Sequence, residues 1–257
     1  MNVVTGTVYL VGAGPGAPDL LTLRAARLLE RADVVFFDAL VHPDTVALAA
    51  RAEKIAVGKR CGRHSTAQRF INKRLIDAAQ RHAVVVRLKG GDPMLFGRAQ
   101  EEIDALQEAG IAVEVVPGIT AALAACAELK ISFTQRGVSR HVALVTPRIG
   151  EGKNPSEWLR TVCNADSSAI YMAAGQAETL AANLIAAGMA GDTAVCMVEN
   201  ASLPGAVHLR TTLAELPQAA QRLGGGPAIV LLGAAFARVD AVTVAVDSTA
   251  AAQAASA

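Results

Sequence analysis

The sequence predicts an α/β protein built as two α/β units, on three observations. Short β-branched runs alternate with helical patterns through the first half, the rhythm breaks around 133–137, and it resumes with longer connections. Small-residue loops follow several strands of the first half, which is where open α/β sheets place their ligands. Composition agrees. Of 257 residues, 52% are hydrophobic and 18% charged, so burial can offset the entropy of ordering, and disorder is excluded. With 24 Lys+Arg against 23 Asp+Glu, bulk charge gives no basis for binding nucleic acid.

In the first half, 8–11 (VYLV), 34–37 (VVFF), 54–57, 84–88 (VVVRL) and 113–116 read as strands, with helices over 20–31, 43–50, 66–81 and 98–109. Near-continuous apolar strands in βαβ order predict a mostly parallel sheet covered on both faces. Beyond the break, 141–146, 169–172, 194–198 and 228–232 read as strands. Asn154-Pro155-Ser156-Glu157 reads as a helix start with Pro at the first position, and Thr212 with Glu215 as a capping box. The expected division is 1–136, 137–242, and a low-complexity, disordered tail over 243–257.

Mean hydropathy is +0.35, yet apolar runs such as 228–236 reach about half the ~20 residues a membrane span needs. The start, MNVVTGTVYLVGAGPG, lacks a basic region ahead of its apolar run, so a soluble cytoplasmic chain is expected. Cys61, Cys126, Cys163 and Cys196 are scattered, without CxxC or His at metal-ligand spacing, and read as reduced thiols.

Three loops carry the chemistry. Gly12-Ala13-Gly14-Pro15-Gly16-Ala17 fits G-x-G-x-x-G/A, and Asp38 ends the next strand where a ribose-binding acid would sit, so an NAD-dependent oxidoreductase is one reading. Against it, Pro15 and Pro18 remove backbone donors that a pyrophosphate needs. Gly90-Gly91-Asp92-Pro93 and Pro117-Gly118-Ile119-Thr120 follow two further strands, so three small-residue loops converge on one crevice.

VYLVGAGPG, GKRCGRHS, VVRLKGGDPMLFGR, VVPGITAALAA and IYM, in this order and spacing, resemble the tetrapyrrole methylases from about Thr7 to Asp240. GKRxGxHS, and FGR after GGDP, are closest to the members acting on uroporphyrinogen III rather than on later corrin rings. The resemblance implies two α/β domains with a ligand cleft between them, a homodimer, S-adenosylmethionine as methyl donor, S-adenosylhomocysteine as its product, and no metal. It implies methylation of uroporphyrinogen III at C2 and C7 to precorrin-2, for sirohaem or cobalamin-type tetrapyrroles. Donor contacts carried over are Pro15, Gly90, Gly91, Asp92, Leu95, Thr120, Ala121, Met172 and Ala201. Asp38, Lys59, Arg98 and Glu101 fall at the substrate end.

The residues suit those roles. Glycines allow close approach, Asp92 can accept from donor hydroxyls or ammonium, and Leu95, Ala121 and Met172 offer apolar contact. Arg98 reads as a carboxylate clamp oriented by Glu101, and which residue is the base stays open. Lys59, Arg60, Arg63 and His64 form a basic loop suited to an anionic tetrapyrrole, with Lys89 and Arg136 near other motif loops. Ala17, Ala39, Ala99, Gln100, Gln135, Pro147 and Ala201 depart from the usual family pattern, which keeps open a methylase of a later precorrin or a weakly active paralogue.

Overall fold

The computed structural model describes residues 5–57, 64–148 and 157–237. Cys61, Lys59, Arg60, Arg63, the helix start at 154–156 and the tail 243–257 lie outside the described residues. The chain forms two compact units, Met1–Ala121 and Ala122–Ala257.

The first unit follows the predicted alternation. Its strands are β1 (Thr7–Gly12), β2 (Val34–Phe37), β3 (Glu53–Ala56), β4 (Val84–Lys89) and β5 (Ala112–Val116). They pair in the order β3-β2-β4-β1-β5, every pair parallel. Side chains alternate across the sheet. Val11, Val35, Val86 and Leu88 pack with Ala25, Leu28 and Leu29 of α1 (Leu23–Arg31), beside α2 (Pro43–Ala47). Val8, Leu10, Phe36 and Val85 pack with Leu75 of α3 (His64–Ala79) and Leu106 of α4 (Ala99–Glu108). Every strand's carboxyl end therefore lies on one edge.

Helix α1 begins later than the predicted 20–31. Pro18–Leu20 is a 3-10 turn, and the Thr22 hydroxyl accepts the Ala25 N–H at 3.1 Å, which caps the helix at Leu23.

The second unit comprises α5 (Ala121–Leu129), which starts at the division, then β6 (Val142–Val145), α6 (Glu157–Asn164), β7 (Ser167–Ile170), α7 (Ala177–Ala186), β8 (Ala194–Glu199), β9 (Val207–Thr212), α8 (Leu216–Ala220) and β10 (Ala228–Gly233). The order is β6-β7-β10-β8-β9, and only β6 and β7 are parallel. Both β7 and β8 run antiparallel to β10, so their carboxyl ends share an edge. After α5, Phe133 stands 6.1 Å from Phe236, and Gln135 Nε2 donates to the Ala235 carbonyl at 3.1 Å, both within the second unit.

Three details differ from expectation. Strand β7 ends at Ile170, so Met172 lies beyond it with a left-handed φ of 57°. Strand β9 occupies 207–212, of which the sequence reading assigned only Thr212, as a cap. Its period-2 pattern buries Leu209 while His208 and Arg210 are half-buried. Thr212 closes a turn by accepting the Glu215 N–H at 3.4 Å, and α8 starts at Leu216, with Pro in its first turn. Among the described residues, no helix is long and apolar enough to cross a membrane.

Cys126 and Cys196 are buried, and burial pushes each thiol from 9.0 up to about 11. The unfolded chain ionises these thiols first, so their stabilising contribution is complete below pH 9 and is lost as pH rises through about 11. Denaturant titrations at pH 8 and pH 10.5 should therefore show a larger alkaline loss for the natural chain than for C126A/C196A. Equal losses would contradict this.

Candidate functional site

At the carboxyl edge of the first sheet, the loops after β1, β4 and β5 are tied to one another. Gly14 and Gly91 exchange backbone hydrogen bonds, 3.2 Å from the Gly14 N–H and 2.7 Å from the Gly91 N–H, and the Ala13 N–H donates to the Lys89 carbonyl at 2.7 Å. Asp92 bridges the other pair of loops. Its Oδ2 accepts the Gly118 N–H at 2.9 Å, and its Oδ1 accepts the Met94 N–H at 2.8 Å. The loops meet at contact distance. A Cβ on Gly12 would lie 2.6 Å from Gly118 Cα, and one on Gly118 would collide with the Gly91 carbonyl. Gly91 adopts φ 69° with open space where a side chain would point. Pro15, Gly90, Gly91, Asp92, Leu95, Thr120 and Ala121 are thereby gathered on one edge.

This geometry argues against the dinucleotide reading. The Gly14 amide is spent on Gly91, Pro15 has none, and a 3-10 turn separates the loop from the start of α1. The Asp38 carboxylate is also engaged. Oδ1 accepts the Leu40 N–H at 3.0 Å, and Oδ2 lies 3.8 Å from Arg87 Nη2.

Large apolar side chains line these loops. Leu40 is 62% exposed and Met94 55%, and a Cβ on Gly90 would come within 2.8 Å of Leu40 Cβ. Exposed apolar groups beside closely packed glycines suit a ligand with a flat apolar part.

Below the edge lies a buried charge cluster, and it includes Lys89, which the sequence reading grouped with the basic residues facing an anionic substrate and which is instead buried against Glu102. Arg87 and Lys89 project from β4 toward α3 and α4, where Glu102 is fully buried. Glu102 Oε1 accepts from Arg87 Nε at 3.2 Å and Gln68 Nε2 at 3.1 Å, and Oε2 accepts from Lys89 Nζ at 3.0 Å. Burial, then the neighbouring Arg87, lower the Lys89 ammonium below its ordinary range, while Glu102 works in the opposite sense. A charge inside the apolar run VVVRLK was the available signal, because a buried arginine requires a partner.

Arg98, at φ 56°, precedes α4. Its Nε and Nη2 reach Glu101 Oε1 and Oε2, each at 2.7 Å, a bidentate pair on an exposed surface. Hydrogen bonding to Glu101 raises the Arg98 guanidinium, and the same bonds hold the Glu101 carboxyl below its usual range. Lys59 lies outside the described residues. In the second unit, Met172 follows β7 and Ala201 follows β8, on one edge; Met172 is 41% exposed and Ala201 buried. Of the positions departing from the family pattern, Gln135 binds the Ser132 and Ala235 carbonyls, and Gln100 donates to Asp104 at 2.6 Å.

Backbone strain marks the same places. Among the described residues, the non-glycines with left-handed φ are Phe96, Arg98, Lys130, Met172, Asn200 and Ser202. All but Lys130 coincide with, or adjoin, a predicted site residue. Each such conformation costs about 1–3 kcal/mol and persists where the surroundings enforce it.

Glycine loops joined at the carboxyl ends of parallel strands, with strained residues around them, define an α/β enzyme with a small-molecule site. Residues 7–217 match the family model of tetrapyrrole (corrin/porphyrin) methylases. A uroporphyrinogen-III C-methyltransferase of Pseudomonas aeruginosa is 43% identical over 231 residues, 90% of this chain and 94% of that protein. A siroheme synthase of Pseudomonas putida is 44% identical over 230 residues, and the chain spans 50% of its length. A crystal structure of a Thermus thermophilus uroporphyrin-III C-methyltransferase with S-adenosylhomocysteine matches with a TM-score of 0.78 and 39% identity, covering 90% of this chain and 98% of that one. The chain belongs to the tetrapyrrole methylase family.

Removing Glu102 leaves two cations buried against the single carboxylate of Asp38. E102A should cost about 3–5 kcal/mol in denaturant unfolding, and K89M in that background should recover part of the loss. A cost below about 1 kcal/mol would contradict a buried ion cluster.

Proposed function

We propose that this chain is an S-adenosylmethionine-dependent C-methyltransferase that methylates uroporphyrinogen III at C2 and C7, giving precorrin-2. The observation carrying this reading is the Asp92-tied glycine edge, in a chain that aligns over nearly its whole length with a uroporphyrinogen-III C-methyltransferase. The likeness to the siroheme synthases favours a place in sirohaem formation, with cobalamin-type products as the other outlet. A homodimer in the cytoplasm completes the proposal.

In this reading Pro15, Gly90, Gly91, Asp92, Leu95, Thr120 and Ala121 of the first unit, and Met172 and Ala201 of the second, are donor contacts. The first-unit residues fit an adenosyl group. Gly91 leaves open space, Leu95, Thr120 and Ala121 are half-buried, and Asp92 keeps lone pairs beyond those given to Gly118 and Met94. Bound S-adenosylmethionine supplies a methyl group on a sulfonium, whose sulfur keeps the bonding electron pair on leaving.

The protein's part is alignment and proton handling. Holding a pyrrole carbon in line with the methyl group removes much of the entropic barrier. Attack by the pyrrole leaves a cationic ring that must lose a proton, so a base belongs at the substrate end. Asp38, Lys59, Arg98 and Glu101 are proposed there. Glu101 holds the Arg98 fork in one orientation, which suits a guanidinium meeting a substrate carboxylate at a fixed angle.

The test is anaerobic incubation with enzymatically generated uroporphyrinogen III and methyl-labelled S-adenosylmethionine, with methyl groups counted on the product. Two transferred methyls and a precorrin-2 spectrum are expected. Transfer to a later precorrin but not to uroporphyrinogen III would overturn the substrate. No transfer to either would leave the family assignment and remove the activity.

A further inference from the structure

The loop between β8 and β9 is held by two carboxylates, neither of them among the residues assigned above. Asn200, at φ 54°, and Ser202, at φ 70°, flank Ala201, so the backbone on both sides of this residue is in a conformation that L side chains rarely adopt. Glu199 anchors the base of the loop by accepting the Gly224 N–H at 2.8 Å and the Gly226 N–H at 2.6 Å. The Asn200 N–H donates to the Pro227 carbonyl at 2.8 Å. The far side is held by Glu128, on α5. Its Oε1 accepts the Ser202 N–H, and its Oε2 pairs with His208 Nε2, on β9, at 2.7 Å. Glu128 and His208 are both half-buried, with side chains 23% and 20% exposed.

We infer that Glu128 and His208 are positioning residues for the methyl donor, acting through the backbone at Ala201. The inference rests on the reading of Ala201 as a donor contact. Three elements meet at one carboxylate. Helix α5 supplies the acid, β9 supplies the imidazole that fixes its rotamer, and the loop supplies the N–H that the acid holds. Holding the Ser202 N–H keeps the peptide after Ala201 in one orientation, while the Asn200–Pro227 bond fixes the peptide that enters Asn200. A site that must meet a ligand within a fraction of an ångström needs such support, because a left-handed alanine-flanking pair relaxes once its restraints are removed. Neither Glu128 nor His208 is asked to touch the reacting atoms.

The test is S-adenosylhomocysteine binding by calorimetry with the full chain, alongside steady-state kinetics. E128A should weaken binding about tenfold and raise the donor KM to match, with the tetrapyrrole KM and kcat at saturating donor within about twofold of the natural chain. E128Q retains an acceptor for the Ser202 N–H and should recover most of the affinity. A201L serves as the control on the underlying reading. If A201L weakens binding while E128A lowers Tm yet leaves the dissociation constant within about twofold, the positioning role is overturned and the reading of Ala201 stands. If A201L binds as tightly as the natural chain, the reading of Ala201 fails, and the inference with it. Should E128A not fold, H208N decides the matter: unchanged donor affinity there overturns the proposal, and weaker binding at unchanged tetrapyrrole KM supports it.

Discussion

The Asp92 carboxylate is the interaction on which the described geometry of the first unit depends. Its two oxygens accept N–H groups from its own loop and from the loop after β5. With the Gly14–Gly91 pair, this makes the loops after β1, β4 and β5 one rigid edge. Glycine is required at the closest approaches because Gly12, Gly91 and Gly118 pack backbone to backbone, with no room for a Cβ on Gly12 or Gly118. The consequence for ligand binding is preorganisation: the edge pays its ordering entropy on folding rather than on binding.

The charged residues of this unit divide into two groups with different tasks. Arg87, Lys89 and Glu102 are buried and satisfied by one another, so they fix how β4 sits against α3 and α4, directly beneath the glycine edge. Arg87 also reaches toward Asp38, linking the buried cluster to the loop after β2. Arg98 and Glu101 stand at the surface, where their pairing adds little to stability and mainly selects an orientation. The second unit follows a related plan with carboxylates holding backbone N–H groups, from Glu199 to Gly224 and Gly226 and from Glu128 to Ser202.

The parallel sheet was legible because its strands are buried on both faces, and VYLV, VVFF and VVVRL show that directly as continuous apolar runs. The family motifs were legible for a related reason, since close backbone approach leaves glycine little substitute. Strand β9 was missed because VHLRTT is covered on only one side by apolar packing and carries polar residues that also suit a turn. The predicted end of β7 ran on to Met172 because an apolar residue after a strand reads as more strand, whereas the left-handed φ of 57° at Met172 takes the chain out of the extended conformation. Asp92 was expected to face the donor. That one of its oxygens first holds the Gly118 N–H could not be read from one loop, because that partner is 26 residues away. The same holds for Arg87 and Glu102, and for Glu128 with His208: each pairing is set by the register of strands against helices. The basic loop with Lys59 belongs to the residues not described.

The most direct test of the central claim, that the Asp92-tied edge is where the donor sits, is a crystal structure of this chain with S-adenosylhomocysteine. Ligand density is expected against Gly90, Gly91 and Thr120, with the Asp92–Gly118 and Gly14–Gly91 bonds kept. Density bound away from this edge, or an edge whose loops separate to admit the ligand, would contradict it.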